Sequence, residues 1–477
     1  MKITELWLLS TVAVICSCSV GPDYRRPQFF PEEDVADSLR ASGQTQEINK
    51  EWYKQFQDPF LNTLIARGLQ DSPSIEIAVQ KLRQARHTLS IYGVKNFPTI
   101  DGSGSYNYNK DSITYGTSVS TEYFQTGFDV SWELDIWGGG RRLTESALAM
   151  VRSASANLDN VRISLIAEIA SNYYQLRQSQ EQLKIAKQSL KLQQEIASLV
   201  KEKHKFGLAD NIALNQSEYL VQTTKMQIPE LETNIEQLLN NISVLTGKLP
   251  GQINNLLINP ETNPVSNKFE YDIKGLYDLP LDVVRNRPDI REAENNLISQ
   301  NAKIGEAISQ MFPNISISGF LGWQSKHLSN MFNSQKDAYS YSPTISLPLF
   351  HWGALINNVK LQKSIKEEQL QLYKSSILTA ISEIRTSVSD IMQEYKHNQS
   401  AYRAQIAQQQ VSELTLIKYK QGLLDFSEVL TAEQNLLSAQ TNTISSNTDI
   451  YLKLISFYKA VGGGYATTKK AHNCGIH

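Results

Sequence analysis

Two hydrophobic rhythms divide this chain. The first is alternation with period two. In 314–324, Ile315, Ile317, Gly319, Leu321 and Trp323 fall on one face, and Asn314, Ser316, Ser318, Gly322 and Gln324 on the other. Phe320 is the exception on the polar side. In 339–349, Tyr339, Tyr341, Pro343, Ile345, Leu347 and Leu349 oppose Ser340, Ser342, Thr344 and Ser346. Phe124, Phe128, Val130, Trp132 and Leu134 oppose Gln125, Asp129, Ser131, Glu133 and Asp135. Residues 100–109 alternate more weakly, with Tyr106 and Tyr108 against Ser103, Ser105, Asn107 and Asn109. Strands of about ten residues with aromatic ends suit a sheet facing lipid on one side and water on the other. The same alternation also suits a soluble sheet laid on a helical core.

The second rhythm is heptad-like. Gly207 is the first glycine after Gly140, and Gly422 the first after Gly353, with no proline inside either interval. Within these runs Ile377, Ile381, Ile384, Val388, Ile391, Tyr395 and Tyr402 step by four and three apart from Asn398, and Ile166, Ile169, Tyr173 and Leu176 occupy the same stripe, with Leu183 and Leu190 following at one heptad each. The spacing predicts two coiled-coil helices, each about 100 Å long at 1.5 Å per residue. A glycine then supplies the positive φ that stops each one. Asp210 and Asp425 stand where returning helices over 210–247 and 425–461 need an N-cap. Pro73 and Pro288 open two shorter helices, to about residues 96 and 311.

The punctuation repeats at one offset of 215 residues. It pairs Gly207 with Gly422, Pro73 with Pro288, Asp210 with Asp425, Gly247 with Gly462, and "WG" at 137–138 with "WG" at 352–353. The expectation is a duplicated α+β chain. Repeat 1 spans 60–250 and repeat 2 spans 276–462, joined by a Pro/Asn-rich linker over 251–275, with a C-terminal tail at 463–477. Each repeat is one long helix beside two short ones, with a β-hairpin where the long helix begins.

Two hairpins make four strands. Four strands in lipid leave two unpaired edges, each costing several kcal/mol per unmet backbone group. A closed barrel needs at least about eight strands. A membrane reading therefore demands an oligomer that shares one barrel, and the pattern permits two, three or four copies.

The N-terminus begins "MKITELWLLSTVAVICSCSVGPDYRRP". An apolar run from Leu6 to Ile15 has the length of a signal h-region and is too short to span a bilayer. The expected signal peptide is 1–17, with Cys18 the lipid-bearing residue, followed by an extended segment over 18–59. Composition excludes more than it adds. With 46 basic and 48 acidic residues the net charge is −2, which gives no footprint for nucleic acid. Three cysteines make no disulfide framework, and the seven histidines show no metal-ligand spacing. "WGGGRR" at 137–142 follows no phosphate-binding pattern, so an enzyme is not expected.

With "CSVGPDYRRP" (18–27), "SWELDIWGGGRR" (131–142), "NRPDIREAE" (286–294), "LPLFHWG" (347–353) and "GLLDFSEVLTAEQNLLSAQ" (422–440), the chain resembles the bacterial outer-membrane efflux proteins of the TolC/OprM type, in their lipoprotein branch. The resemblance implies a homotrimer sharing one outer-membrane barrel continued by a periplasmic α-helical coiled-coil barrel. It implies a passive conduit, with no cofactor, no metal and no catalysis. Its partners would be a periplasmic adaptor, an inner-membrane pump and outer-membrane lipid. Carried over by position, Gly207, Leu208, Gly422 and Leu423 are the adaptor-contacting tip turns. Tyr419, Asp425 and Glu428 are the periplasmic gate. Of the family's two gate acids spaced three apart, the second falls on Thr431, and the matching first-half position is Ala213. Asp425 and Glu428 also have plain readings, as an N-cap and as a solvated helix residue. Two rival functions stay open: a conduit for type I protein secretion, and a structural coiled-coil lipoprotein without a pore.

Overall fold

The computed structural model describes residues 19–31, 34, 50–111, 119–257, 282–332 and 337–464. The expected signal peptide with Cys18, the centre of the linker and nearly all of the tail, with Cys474, lie outside the described residues. Helices α1 (Pro59–Asp71) and α2 (Pro73–Val94) lead into strands β1 (Thr99–Asp111) and β2 (Val119–Leu134). Then come α3 (Gly139–Lys205) and α4 (Asn211–Leu245). The second half runs α5 (Pro288–Ser309), β3 (Asn314–Ser325), β4 (Asp337–Ser346), α6 (Ala354–Lys420) and α7 (Phe426–Ala460). The short and long helices repeat at the 215-residue offset at both ends: α2 with α5, α3 with α6, α4 with α7. Among the described residues, no helix is long and apolar enough to cross a membrane.

The periodicity did not reveal α1. Its signal is nonetheless local: Asp58 accepts from the Phe60 and Leu61 amides, and Pro59 fills the first helical position, where no amide is needed. Pro229 lies inside α4 without ending it.

The chain forms two compact units, each drawn from both halves of the sequence. One takes 81–155 and 292–374 with the stretch up to Pro27; the other takes 28–80, 156–291 and 375 onward. The second holds the predicted heptad stripe in part: Ile166, Ile169, Tyr173 and Leu176 are buried on α3, and Ile384 and Ile391 on α6, whereas Ile377, Ile381, Val388 and Tyr395 are half-buried, Tyr402 is exposed, and Ala380 and Ser387 are buried instead. Each large apolar side chain so buried is worth about 1.5–3 kcal/mol before entropy is counted. At the base of this seam, Trp52 stacks on Tyr458 with centroids 4.8 Å apart, and Tyr174 stacks on Tyr451 at 4.3 Å.

In the first unit the four strands form one antiparallel sheet in the order β1-β2-β3-β4, so β1 and β4 are its edges. Register sorts the two faces. One face carries the rows Ile100–Val130–Gly319–Tyr341 and Gly102–Phe128–Leu321–Tyr339. The other carries Thr99–Ser131–Ser318–Ser342, Asp101–Asp129–Phe320–Ser340 and Ser103–Gly127–Gly322–Ala338. Among the described residues no helix covers the apolar face: Ile100, Phe128, Leu321, Tyr339, Tyr341 and Ile345 are all exposed. That removes the alternative of a soluble sheet laid on a helical core.

Candidate functional site

The sheet is one functional surface. Its apolar face has aromatic residues toward both ends of the strands, with Trp132 toward the helical end and Tyr106, Phe124 and Trp323 toward the other. The Trp132 indole donates to the Asn96 carbonyl at 3.0 Å, and Trp137 to the Pro313 carbonyl at 2.7 Å. Rings with one wet end and one apolar end suit a bilayer–water interface. The N-terminal stretch is fastened at this level. The Val20 amide donates to the Trp137 carbonyl at 3.0 Å, and Arg142 donates to the carbonyls of Val20 and Gly21 and to Asp23. Further along, Tyr24 and Arg26 both hold the Glu294 carboxylate.

The second surface is the pair of helix–helix turns. After α3, the Leu208 amide donates to the Lys203 carbonyl at 2.8 Å and Gly207 to His204 at 3.0 Å. After α6, Leu423 donates to Lys418 at 2.9 Å and Gly422 to Tyr419 at 3.0 Å. This pair of bonds satisfies the last carbonyls of each long helix and requires a residue with positive φ between them. Gly207 has φ +73° and Gly422 has φ +77°. Both glycines face open space, so the dihedral alone demands them.

The two tips differ in what they expose. Phe206, Leu208 and Ile212 are 77%, 75% and 65% exposed at the first turn. Their counterparts at the second are Gln421, Leu423 and Ser427, of which Leu423 alone is a large exposed apolar group. The first tip is therefore an apolar knob and the second mostly polar.

Asp210 caps α4 through a 2.8 Å bond from the Ala213 amide. Asp425 has the extended backbone of an N-cap, but its side chain makes no capping bond. The N-cap reading therefore holds for Asp210 and for the Asp425 backbone only. Asp425 and Glu428 are both exposed, three residues apart at the positive end of α7.

Tyr419 is only 6% exposed. It lies in an apolar cluster with Ile196, Val200, Phe426 and Val429, its ring edge-on to Phe426 at 5.7 Å. The Lys203 ammonium sits 4.1 Å from the ring centroid and donates to the Tyr419 carbonyl at 3.0 Å. Among the described residues the Tyr419 hydroxyl has no hydrogen-bond partner, and burial pushes its pKa up. The ring thus joins α3 to α6 and α7 within one chain. Seven residues further from the turn on each helix, Ser412 donates to the Glu433 carboxylate at 2.6 Å. Glu433 is 3% exposed, and burial raises its pKa. Sequence reading passed over Lys203, Ser412 and Glu433. The pairs Ser412/Tyr419 and Phe426/Glu433 are one heptad apart, and that spacing was the available signal.

A sheet apolar on one face and polar on the other, carried by long coiled-coil helices, defines an outer-membrane channel subunit. A family model described as outer membrane efflux protein matches residues 64–248 and again 279–463, the second match 215 residues beyond the first at both ends. The chain belongs to that family. It is 28% identical over 490 residues to the toluene efflux pump outer membrane protein TtgI of Pseudomonas putida, covering 98% of this chain and 100% of that one. It is 26% identical over 454 residues to the cation efflux system protein CusC of Escherichia coli, covering 94% and 96%. The solved structure of the outer-membrane channel OprN superposes with a TM-score of 0.84 at 28% identity, covering 94% of this chain and 100% of that one.

Proposed function

We propose that three copies of this chain close one barrel and act as the outer-membrane exit of a tripartite efflux system, passively conducting small molecules delivered by an inner-membrane pump and a periplasmic adaptor. The observation that carries this reading is the uncovered sheet, whose apolar face, polar face and two free edges fit one third of a lipid-embedded barrel. Edge β1 of one copy pairs with edge β4 of the next, which keeps every neighbour antiparallel and leaves no backbone group unmet in lipid.

In this reading Cys18 carries lipid. The fastening of Val20 at the foot of β2 supports it, because a chain attached there emerges beside the aromatic band at the membrane surface. The turns at Gly207–Leu208 and Gly422–Leu423 meet the adaptor. Asp425 and Glu428 supply the acids of the gate, and Tyr419 serves that gate by packing its own hairpin.

The relatives are named for toluene and for cations, unlike cargoes on one architecture, so in this reading the pump makes the first choice of substrate. The decisive experiment is a deletion strain tested together for sensitivity to toxic small molecules and for secreted proteins. Sensitization with an unchanged secretome supports efflux. Loss of a secreted protein without sensitization points to type I secretion instead.

A further inference from the structure

The one residue that broke the alternation has a defined seat. Phe320 belongs to the polar face, in the row Asp101–Asp129–Phe320–Ser340. One rung along, Gly127 and Gly322 pair across β2 and β3 on the same face. A Cβ on Gly127 would stand 2.6 Å from the Gly322 Cα and 2.8 Å from the Phe320 Cζ; a Cβ on Gly322 would stand 2.7 Å from that same Cζ. The phenyl tip therefore lies over a glycine pair, in a groove that any side chain at either position would fill. Phe320 is half-buried, so the rest of its ring stays open on a face otherwise made, near it, of Ser, Thr, Asp, Gly, Gln and Ala, with Tyr123, Glu133 and Asn107 further along the strands.

The neighbours decide what such a ring would attract. Asp129 is its direct cross-strand partner, and Asp101 is the next residue in the row. Directly paired side chains stand about 5 Å apart at Cβ, and two like charges so placed repel. A cation in this row relieves that repulsion. An aromatic face also attracts cations, most strongly when their charge is poorly hydrated.

We propose that Phe320 is a specificity-determining residue: its ring, beside Asp129 and Asp101, favours organic cations with apolar bodies over small hydrated ones as cargo passes. The proposal rests on the reading of the polar face as the lumen of a shared barrel, where three such rings stand at one level.

The test is planar-bilayer recording of the full-length wild-type protein and of Phe320→Leu, with tetrabutylammonium and tetramethylammonium as probes. The wild type is expected to be blocked by tetrabutylammonium at the lower concentration. Leucine fills the glycine groove without a π face, so its channel should conduct potassium normally while the preference for tetrabutylammonium falls roughly 3-fold to 10-fold. An unchanged preference in Phe320→Leu overturns the proposal and leaves the lumen reading standing. Where that variant does not assemble, equal block of the wild type by the two probes overturns it. A wild-type protein that forms no channel overturns the lumen reading and this proposal together.

Discussion

Tyr419 shows how burial reassigns a residue. The resemblance placed Tyr419 in the gate; its hydroxyl is buried and, among the described residues, without a partner, and the ring carries the packing. Tyr419→Phe removes an unpaired polar group, so stability should stay within about 1 kcal/mol or rise, with the closed-state conductance unchanged. Tyr419→Ala empties the cluster and should cost about 3 kcal/mol. Thermal unfolding and single-channel recording of the two variants separate a packing role from a hydroxyl role; an open channel in Tyr419→Phe would favour the latter. Glu433 makes a prediction in pH. Burial raises its folded pKa, so the folded state holds its proton more tightly than the unfolded state, where the ordinary value is 4.5. Its protonated form stabilises the fold at low pH, and that contribution is lost as pH rises from about 4.5 through the raised folded value. Glu433→Gln keeps an acceptor for Ser412 and cannot ionise. It should flatten this part of the stability–pH curve, and a curve unchanged by the substitution would contradict the assignment.

At the scale of elements, the two hairpins test their own caps. Asp210→Ala removes a made hydrogen bond and should cost about 1 kcal/mol, whereas Asp425→Ala removes none and should cost a few tenths. Paired denaturation midpoints check the asymmetry, and equal losses would refute it. The helices were legible because their signals are local: glycine and proline are absent for a whole long helix, the stop is Gly207 or Gly422, and one offset governs both halves. The strands were legible from alternation, and the register now explains Phe320. Less visible were contacts between elements. Tyr419, Lys203 and Glu433 lie on different faces of three helices, and a single-helix stripe does not say which faces meet. The Asp58–Pro59 start of α1 was readable, but thirteen residues give periodicity little to work on.

For the whole molecule, the account turns on incompleteness. Among the described residues one chain holds four strands with two free edges and an uncovered apolar face, a surface of the kind that marks a membrane or partner contact. Sharing a barrel resolves the edges and the apolar face together. In the proposed trimer Asp425 and Glu428 supply the gate acids, so Glu428→Gln should lower cation selectivity, read as a shift of the reversal potential in a salt gradient toward zero. The most direct measurement of the central claim is the subunit count of the conducting species, by native mass spectrometry of the detergent-extracted protein with planar-bilayer recording of the same fraction. The account predicts three chains per particle and discrete, long-lived conductance steps. A single chain per particle, or a three-chain particle that passes no current, would contradict it.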